Sequence, residues 1–183
     1  MTLAVMTLSA CAQLTTGAET AAQLPRAAVE GTYGFFETLF AREELSVEVV
    51  EVGRLPNCNS TGREPSLEMF ADAAAVKSWQ QTRGVAFTPS GAEPPPGIYA
   101  VVEMGERGTG GYSLAVSRQA AIRDDVLYLK GSFLVPGNSS MVIQVLTSPC
   151  SLVRVPTRSY NRVVLLDQSN NVRTSWSAPG FKN

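Results

Sequence analysis

Cys11 is the residue of this chain whose setting points to the most specific chemistry. It closes the stretch Leu8-Ser9-Ala10-Cys11, which follows an apolar run over residues 1–8. An apolar segment that ends in small residues is typical of an export signal. A cysteine directly after them is the pattern of a bacterial lipobox, in which the chain is cut before the cysteine and its sulfur is lipidated. The pattern predicts a signal peptide at residues 1–10 and lipidation at Cys11.

The same stretch predicts a location. Acyl chains hold a protein at a membrane without a spanning helix, and no segment here approaches the ~20 consecutive apolar residues of such a helix. We expect a lipid-anchored protein of the bacterial cell envelope, and Ala12 favours the periplasmic face of the outer membrane. Because no Lys or Arg precedes Cys11, although export signals begin with basic residues, we expect the start codon to lie upstream. The alternative is a cytosolic protein with a chance Leu-Ser-Ala-Cys sequence.

Cys58 and Cys150 are the two thiols that remain once Cys11 carries a lipid. Exported chains fold in oxidising compartments, where paired cysteines form disulfides. Both cysteines lie at expected ends of secondary-structure elements, where distant segments can approach each other. The sequence therefore predicts a Cys58–Cys150 disulfide. The alternative is a pair of small, buried apolar side chains.

The composition excludes several classes of chemistry. The chain contains no histidine, so it has no histidine-based catalytic triad and no histidine-ligated metal. Two free thiols are too few for an all-cysteine zinc site, and we expect no metal or cofactor. The net charge of −1 and the absence of basic clusters argue against a nucleic-acid partner.

Carboxylates are the remaining candidates for catalysis. Asp124 and Asp125 are adjacent, and Glu103 and Glu106 lie three residues apart. Neighbouring residues on a strand point to opposite faces, so the aspartates could not share one site there. Asp124 and Asp125 are better explained as the solvated tip of a hairpin. No set of residues fulfils the geometric roles that catalysis requires, and the sequence predicts a protein that is not an enzyme.

Alternating and helical patterns predict the elements that position these residues. Apolar residues alternate with polar ones over 45–52, which predicts a half-buried strand. Residues 66–83 show helical spacing, with Ser66 as the expected cap and Gly84 as the stop. Trp79 is expected to anchor the far end of this helix. Further strands are predicted at 98–104, 112–117, 126–135, 141–146, 152–155 and 162–166, with turns at 105–111, 118–125, 136–138 and 148–149.

These elements predict an α+β fold that is mostly β, an antiparallel β-sandwich or small barrel with one packed helix. The expected organisation is a signal peptide at 1–10, a lipidated flexible tether at 11–28 and a single β-rich domain at 29–169. The polar tail at 170–183 is expected to fray, with docking of Trp176 and Phe181 as the alternative.

A glycine-rich stretch, Gly108-Thr109-Gly110-Gly111-Tyr112, is the best candidate for a partner-binding loop. Glycines allow positive φ angles and a close approach by another chain, and a tyrosine ring can anchor a contact. The alternative is a tight turn whose Tyr112 packs inward.

Two blocks of the chain resemble the C-terminal domain of the protease complex subunit PrcB family. Residues 109–113, Thr-Gly-Gly-Tyr-Ser, match the turn of that pattern, and Thr147-Ser148-Pro149 match its second block. Cys150 stands where the family more often has an aromatic residue. The resemblance covers roughly residues 98–166.

The resemblance implies a non-catalytic, β-rich lipoprotein that accompanies an exported protease and binds or stabilises it as a protein partner. Residues 108–112 also resemble the Thr-Thr-Gly-Tyr loop of chagasin-type cysteine protease inhibitors, which leaves an inhibitor as an alternative. A structural envelope module with no dedicated ligand is the third possibility.

Overall fold

The computed structural model describes residues 45–88 and 92–180, so Cys11 and the predicted signal peptide and tether lie outside the described residues. The described part contains ten strands and one helix. These are β1 Leu45–Glu48, β2 Val50–Leu55, β3 Ser66–Phe70, α1 Ala73–Arg83, β4 Ile98–Glu103, β5 Ser113–Val116, β6 Gln119–Arg123, β7 Val126–Leu134, β8 Cys150–Val155, β9 Arg162–Leu166 and β10 Val172–Ser177.

The strands form two sheets that pack face to face. The six-stranded sheet has the order β1-β6-β7-β9-β10, with β5 added beside β7, and the four-stranded sheet has the order β2-β8-β4-β3. Each pairing is antiparallel except that of β7 with β9, which is parallel. Neither sheet closes on itself, so the predicted mostly-β sandwich with one helix is confirmed, and a small barrel is not formed.

Strand β4 is buried on both faces and divides the apolar interior into two clusters. Ala100 and Val102 face the six-stranded sheet, where Leu127 lies in the same cluster. Tyr99 and Val101 face α1 and the disulfide. Since successive side chains of a strand point to opposite faces, a strand between two apolar layers has the nearly continuous apolar sequence seen here.

The predicted strand at 45–52 is divided between the two sheets. β1 pairs with β6 in one sheet, and β2 pairs with β8 in the other. Val49 lies between them, 1% exposed, and its backbone N–H donates to the Arg118 carbonyl at 2.8 Å. The chain therefore turns the corner between the sheets at one buried residue.

The predicted helix at 66–83 is wrong over its first turns. Residues 66–70 form β3 and pair with β4, with Leu67 opposite Val102. The helix begins at Ala73, and its cap is Asp72, whose carboxylate accepts from the Ala75 N–H at 2.8 Å. Pairing with a buried strand outweighs the weak preference of an isolated segment for helix.

The end of the helix agrees with the sequence prediction. Gly84 ends it in the left-handed conformation, with φ of 65°. Trp79 anchors this end, as predicted, because its ring packs edge-on to Phe70 and stacks on Phe87. Its indole N–H donates to the Glu68 carboxylate at 2.9 Å. No helix in the described part of the chain has the length and apolar character needed to cross a membrane.

Three predictions in the second half are wrong. The expected turn at 118–125 contains β6, which fills the space between β1 and β7. The expected strand at 141–146 has no ladder partner and lies as an exposed loop. The expected fraying tail at 170–183 contains β10, which pairs with β9, and Trp176 packs against the core. In each case the presence or absence of a neighbouring strand decided the outcome. The polarity of a short segment does not reveal which strands will lie beside it.

Cys58 and Cys150 form the predicted disulfide. Their Cα atoms lie 6.0 Å apart, both side chains are fully buried, and 92 positions separate them in sequence. The bridge joins the segment after β2 to the first residue of β8, the central partner of both β2 and β4.

We predict that this bridge makes a large contribution to stability. Closing a loop of 92 residues is worth about 4–5 kcal/mol in the chain-entropy description. A Cys58→Ala/Cys150→Ala variant should unfold at a clearly lower temperature than the parent, as measured by circular dichroism. A reductant should lower the midpoint of the parent and leave that of the double variant unchanged; equal midpoints for parent and variant would contradict the prediction.

Candidate functional site

The glycine-rich turn, residues 105–112, connects the two sheets at one end of the sandwich. It follows β4 of the four-stranded sheet and leads into β5 of the six-stranded sheet. Two backbone contacts hold its start. The Glu106 N–H donates to the Gly62 carbonyl at 2.7 Å, and Arg107 exchanges two backbone hydrogen bonds with Thr147 at 2.7 and 2.9 Å.

The 135–147 loop lies against this turn. The Gly110 N–H donates to the Ile143 carbonyl at 2.9 Å, and the Thr147 hydroxyl donates to the Thr109 carbonyl at 2.9 Å. The two sequence blocks that carry the family resemblance are therefore in direct contact, although almost 40 residues separate them. Thr147 holds the turn in place.

Ser148 connects the second block to the disulfide. Its hydroxyl oxygen accepts from the N–H groups of Cys58 and Ser60, each at 3.1 Å, and donates to the Asn57 side-chain carbonyl at 2.6 Å. The side chain is 1% exposed. No local sequence pattern marked Ser148 for this role, because its three partners come from a segment about 90 residues earlier.

The three glycines at 108–111 have different reasons to be glycine. Gly111 has φ of +85°, and a Cβ there would lie 3.0 Å from Pro136. A Cβ on Gly110 would lie 2.8 Å from the Ile143 side chain. Gly108 is exposed, and nothing lies within 4 Å of a Cβ at that position. Packing within the chain therefore explains two of the glycines and leaves Gly108 unexplained.

Tyr112 lies half-buried at the edge of a groove of about 330 Å³. The Arg107 guanidinium lies 5.9 Å from the centre of its ring, and the Arg173 guanidinium lies 4.9 Å from the centre of the Phe133 ring. The groove thus has two aromatic rings, each with a guanidinium over its face. Tyrosine, phenylalanine and arginine are the residue types that protein contact surfaces favour.

The charged groups of the groove are fixed in position. Arg107 donates to the Met104 carbonyl at 2.6 Å and to the Arg63 carbonyl at 3.0 Å. The Asn171 backbone N–H holds the pKa of the Asp167 carboxyl below its ordinary value, against the effect of desolvation. Asp167 is therefore ionised at neutral pH, and it lies 3.7 Å from Arg173.

Glu106 lies in the glycine-rich turn, but none of the four candidate catalytic carboxylates lines the groove. Asp124 and Asp125 form the exposed turn between β6 and β7, with φ of 50° and 60°, and Asp125 is ion-paired with Arg158 at 2.6 Å. Glu103 is buried on the helix-covered face of β4, where the Ser66 hydroxyl donates to it at 2.8 Å. Within residues 45–88 and 92–180, no group of three His, Cys, Asp or Glu side chains could hold a metal ion.

Sequence reasoning found Tyr112 and missed the rest of the groove. Arg107, Phe133, Asp167 and Arg173 come from separate segments and share no motif. Only the pairing of β5 with β7 and of β9 with both β7 and β10 brings them to one end of the sandwich.

We predict different costs for alanine at the glycines of the turn. Gly111→Ala forces a side chain into a left-handed conformation and should lower the free energy of unfolding by about 1–2 kcal/mol. Gly108→Ala has open space and should leave it unchanged or slightly raised. Urea unfolding of the two variants beside the parent measures this difference. Equal losses in both would show that the turn does not have this conformation.

Comparison with known proteins agrees with the two blocks described above. The PrcB C-terminal family model matches residues 98–156, from the first residue of β4 to the residue after β8. The match contains the glycine-rich turn, the 135–147 loop and Cys150. Curated proteins give no match to the chain, and solved structures give none either. Residues 98–156 belong to the PrcB C-terminal domain family.

Proposed function

We propose that this chain is a non-catalytic subunit that binds or stabilises an exported protease. Membership of residues 98–156 in the PrcB C-terminal family suggests a PrcB-like subunit of a protease complex. One observation supports a contact site. The glycine-rich turn and the Thr147-Ser148-Pro149 block, which carry the family resemblance, meet at one end of the sandwich. There, Gly108 and the groove beside Tyr112 lie at the surface.

The contact surface consists of residues 108–112 together with the groove. Among the described residues, nothing lies close enough to Gly108 to require a glycine there, so a close approach by another chain is a reason that remains. Tyr112 lines the groove and is also packed against the core. A ring held in this way binds with little loss of side-chain freedom.

The chain acts at the cell envelope, anchored by a lipid on Cys11. The Leu-Ser-Ala-Cys sequence supports this location, and so does the Cys58–Cys150 disulfide, since such bonds persist in oxidising compartments.

We predict that Tyr112→Ala and Gly108→Trp both lose a protease that the parent retains after mild crosslinking in the native envelope. Tyr112→Ala removes the ring, and Gly108→Trp adds bulk at an exposed position where a Cβ meets nothing within 4 Å. Tyr128→Ala is the matched control, because this half-buried ring also lies beneath a guanidinium, that of Arg123 at 5.4 Å, but outside the groove. Mass spectrometry identifies the recovered proteins. Recovery of the protease with all four proteins would contradict the proposed contact.

The activity of the recovered protease then separates a stabilising subunit from an inhibitor. A stabilising subunit should extend the lifetime of the protease and leave its initial rate unchanged. A loss of initial rate that Gly108→Trp reverses would instead support the chagasin-like alternative.

We further predict that Cys11→Ser loses the acyl chains that the parent carries. The thiol of Cys11 takes the lipid, and two acyl chains give stable membrane binding of this kind. Growth with labelled palmitate measures the change, and Cys58→Ala is the control for loss of a different cysteine. Equal incorporation of the label into Cys11→Ser and the parent would exclude the lipid anchor.

A further inference from the structure

The groove of the proposed contact surface contains more positive than negative charge. Arg107 and Arg173 line it, and Asp167 is the single carboxylate among the described residues that do so. Asp167 is already occupied, because it accepts from the backbone N–H groups of Ser169 and Asn171, each at 2.9 Å, and from the Asn171 side chain at 3.2 Å. Two guanidiniums and one carboxylate leave an excess of positive charge.

The Arg107 guanidinium has donors that its own chain does not use. Nη1 donates to the carbonyls of Arg63 and Glu106, at 3.0 and 3.3 Å, and Nη2 donates to the Met104 carbonyl at 2.6 Å. Since a guanidinium carries five N–H groups, the Nε N–H and one Nη2 N–H remain. Among the ion pairs of the described residues, none brings a carboxylate to Arg107.

Another arginine of this chain shows what these two nitrogens bind. Arg54 donates from Nε and Nη2 to the two oxygens of Glu51, each at 2.7 Å. A guanidinium matches a carboxylate in this two-bonded geometry, and hydrogen bonds between charged groups are stronger than neutral ones. Arg107 has the same two donors in a half-buried position beside the Tyr112 ring, and it lacks the carboxylate.

Arg173 and the apolar walls complete the chemistry of the groove. Arg173 is exposed and lies 3.7 Å from Asp167, which is an ion pair without a hydrogen bond, so its N–H groups are also open to a ligand. Tyr112 and Val135 line the groove beside these charges, and Val135 is 67% exposed. A ligand that matches both features carries a carboxylate next to apolar side chains.

We propose that the groove binds an aspartate or glutamate side chain of the partner protease, flanked by apolar residues. This inference rests on the proposed function, which supplies the protease. The carboxylate lies against Nε and Nη2 of Arg107, and Arg173 adds a second positive charge. A partner chain that also lies against Gly108 continues past the groove, so it offers the carboxylate of a side chain and not that of its C-terminus.

The first experiment measures binding of short peptides and needs no protease. The parent protein, labelled with a heavy nitrogen isotope and purified in mild detergent, is titrated with acetyl-Leu-Glu-Leu-amide and with acetyl-Leu-Gln-Leu-amide. Proton–nitrogen spectra follow the Arg107 Nε–H signal, which is identified by its absence from Arg107→Lys. The glutamate peptide should shift this signal and bind at least about tenfold more tightly than the glutamine peptide.

Variants and salt test the role of charge in the same titration. Arg173→Gln should weaken binding of the glutamate peptide about two- to fivefold, and its fold should be intact because the site is exposed. Arg118→Gln is the matched control, since Arg118 is also exposed and loosely paired, with Glu48 at 3.9 Å, but lies outside the groove. It should leave binding unchanged. Raising the salt concentration should weaken binding of the glutamate peptide by screening the charges.

A second experiment identifies the source of the carboxylate in the native envelope. Arg107→Lys places an amine in the groove, and a carbodiimide joins an amine to a carboxylate in contact with it. Mass spectrometry should find Lys at this position joined to an aspartate or glutamate side chain of the protease. Arg118→Lys, outside the groove, should not give this product.

The outcomes separate this inference from the proposed function. Equal binding of the glutamate and glutamine peptides would overturn the inference, whether or not a protease is found. A protease retained by the parent but insensitive to Arg173→Gln, or joined through its C-terminal carboxylate, would overturn it and leave the proposed function standing. If the parent retains no protease, the proposed function fails and the protease is excluded as the source, while the peptide titration still decides whether the groove binds a carboxylate.

Discussion

The junction at residues 147–150 is the constraint on which the rest of this structure depends. Four consecutive residues make contacts with segments that are distant in sequence. Thr147 holds the glycine-rich turn, Ser148 holds the segment after β2, Pro149 accepts from the Met104 N–H, and Cys150 carries the disulfide. β8 follows directly and pairs with both β2 and β4, so the junction sets the position of the four-stranded sheet.

This junction also supports the proposed contact surface at one end of the sandwich. The glycine-rich turn leaves β4 and enters the other sheet, and it would be a long unsupported connection without Thr147. Supported there, it places Tyr112 in one groove with Phe133 and Val135, with Arg107 over the Tyr112 ring and Arg173 over the Phe133 ring. A rigid framework that presents a loop is the usual way in which a sandwich gains a binding function.

The two surfaces differ in chemistry. The groove beside Tyr112 combines aromatic rings with fixed charges, including the ionised Asp167, and is suited to a specific and partly polar contact. Residues 141–146, on the neighbouring loop, carry no charge, and the side chains of Met141 and Ile143 are exposed.

Patterns within short segments determined much of this fold in advance. Apolar runs and alternation of apolar residues predicted β4, β5, β7, β8 and β9 close to their observed bounds. Gly84 predicted the end of the helix, and the two free cysteines predicted their bridge. The glycine-rich turn and the Thr-Ser-Pro block identified the family and one residue of the groove, Tyr112. These signals are local, since each depends on the periodicity of one strand, a single backbone conformation or a short motif.

Only the tertiary structure decided the remaining features. Ser66–Phe70 is a strand because β4 offers a buried neighbour, and residues 141–146 are not one because no neighbour in the described chain is available. β6 and β10 formed from segments whose polarity predicted a turn and a tail. The groove's Arg107, Phe133, Asp167 and Arg173 meet through strand pairings that span the second half of the chain. A strand becomes stable through the hydrogen bonds and side chains of its neighbours. The sequence of the segment does not specify which strands those neighbours will be.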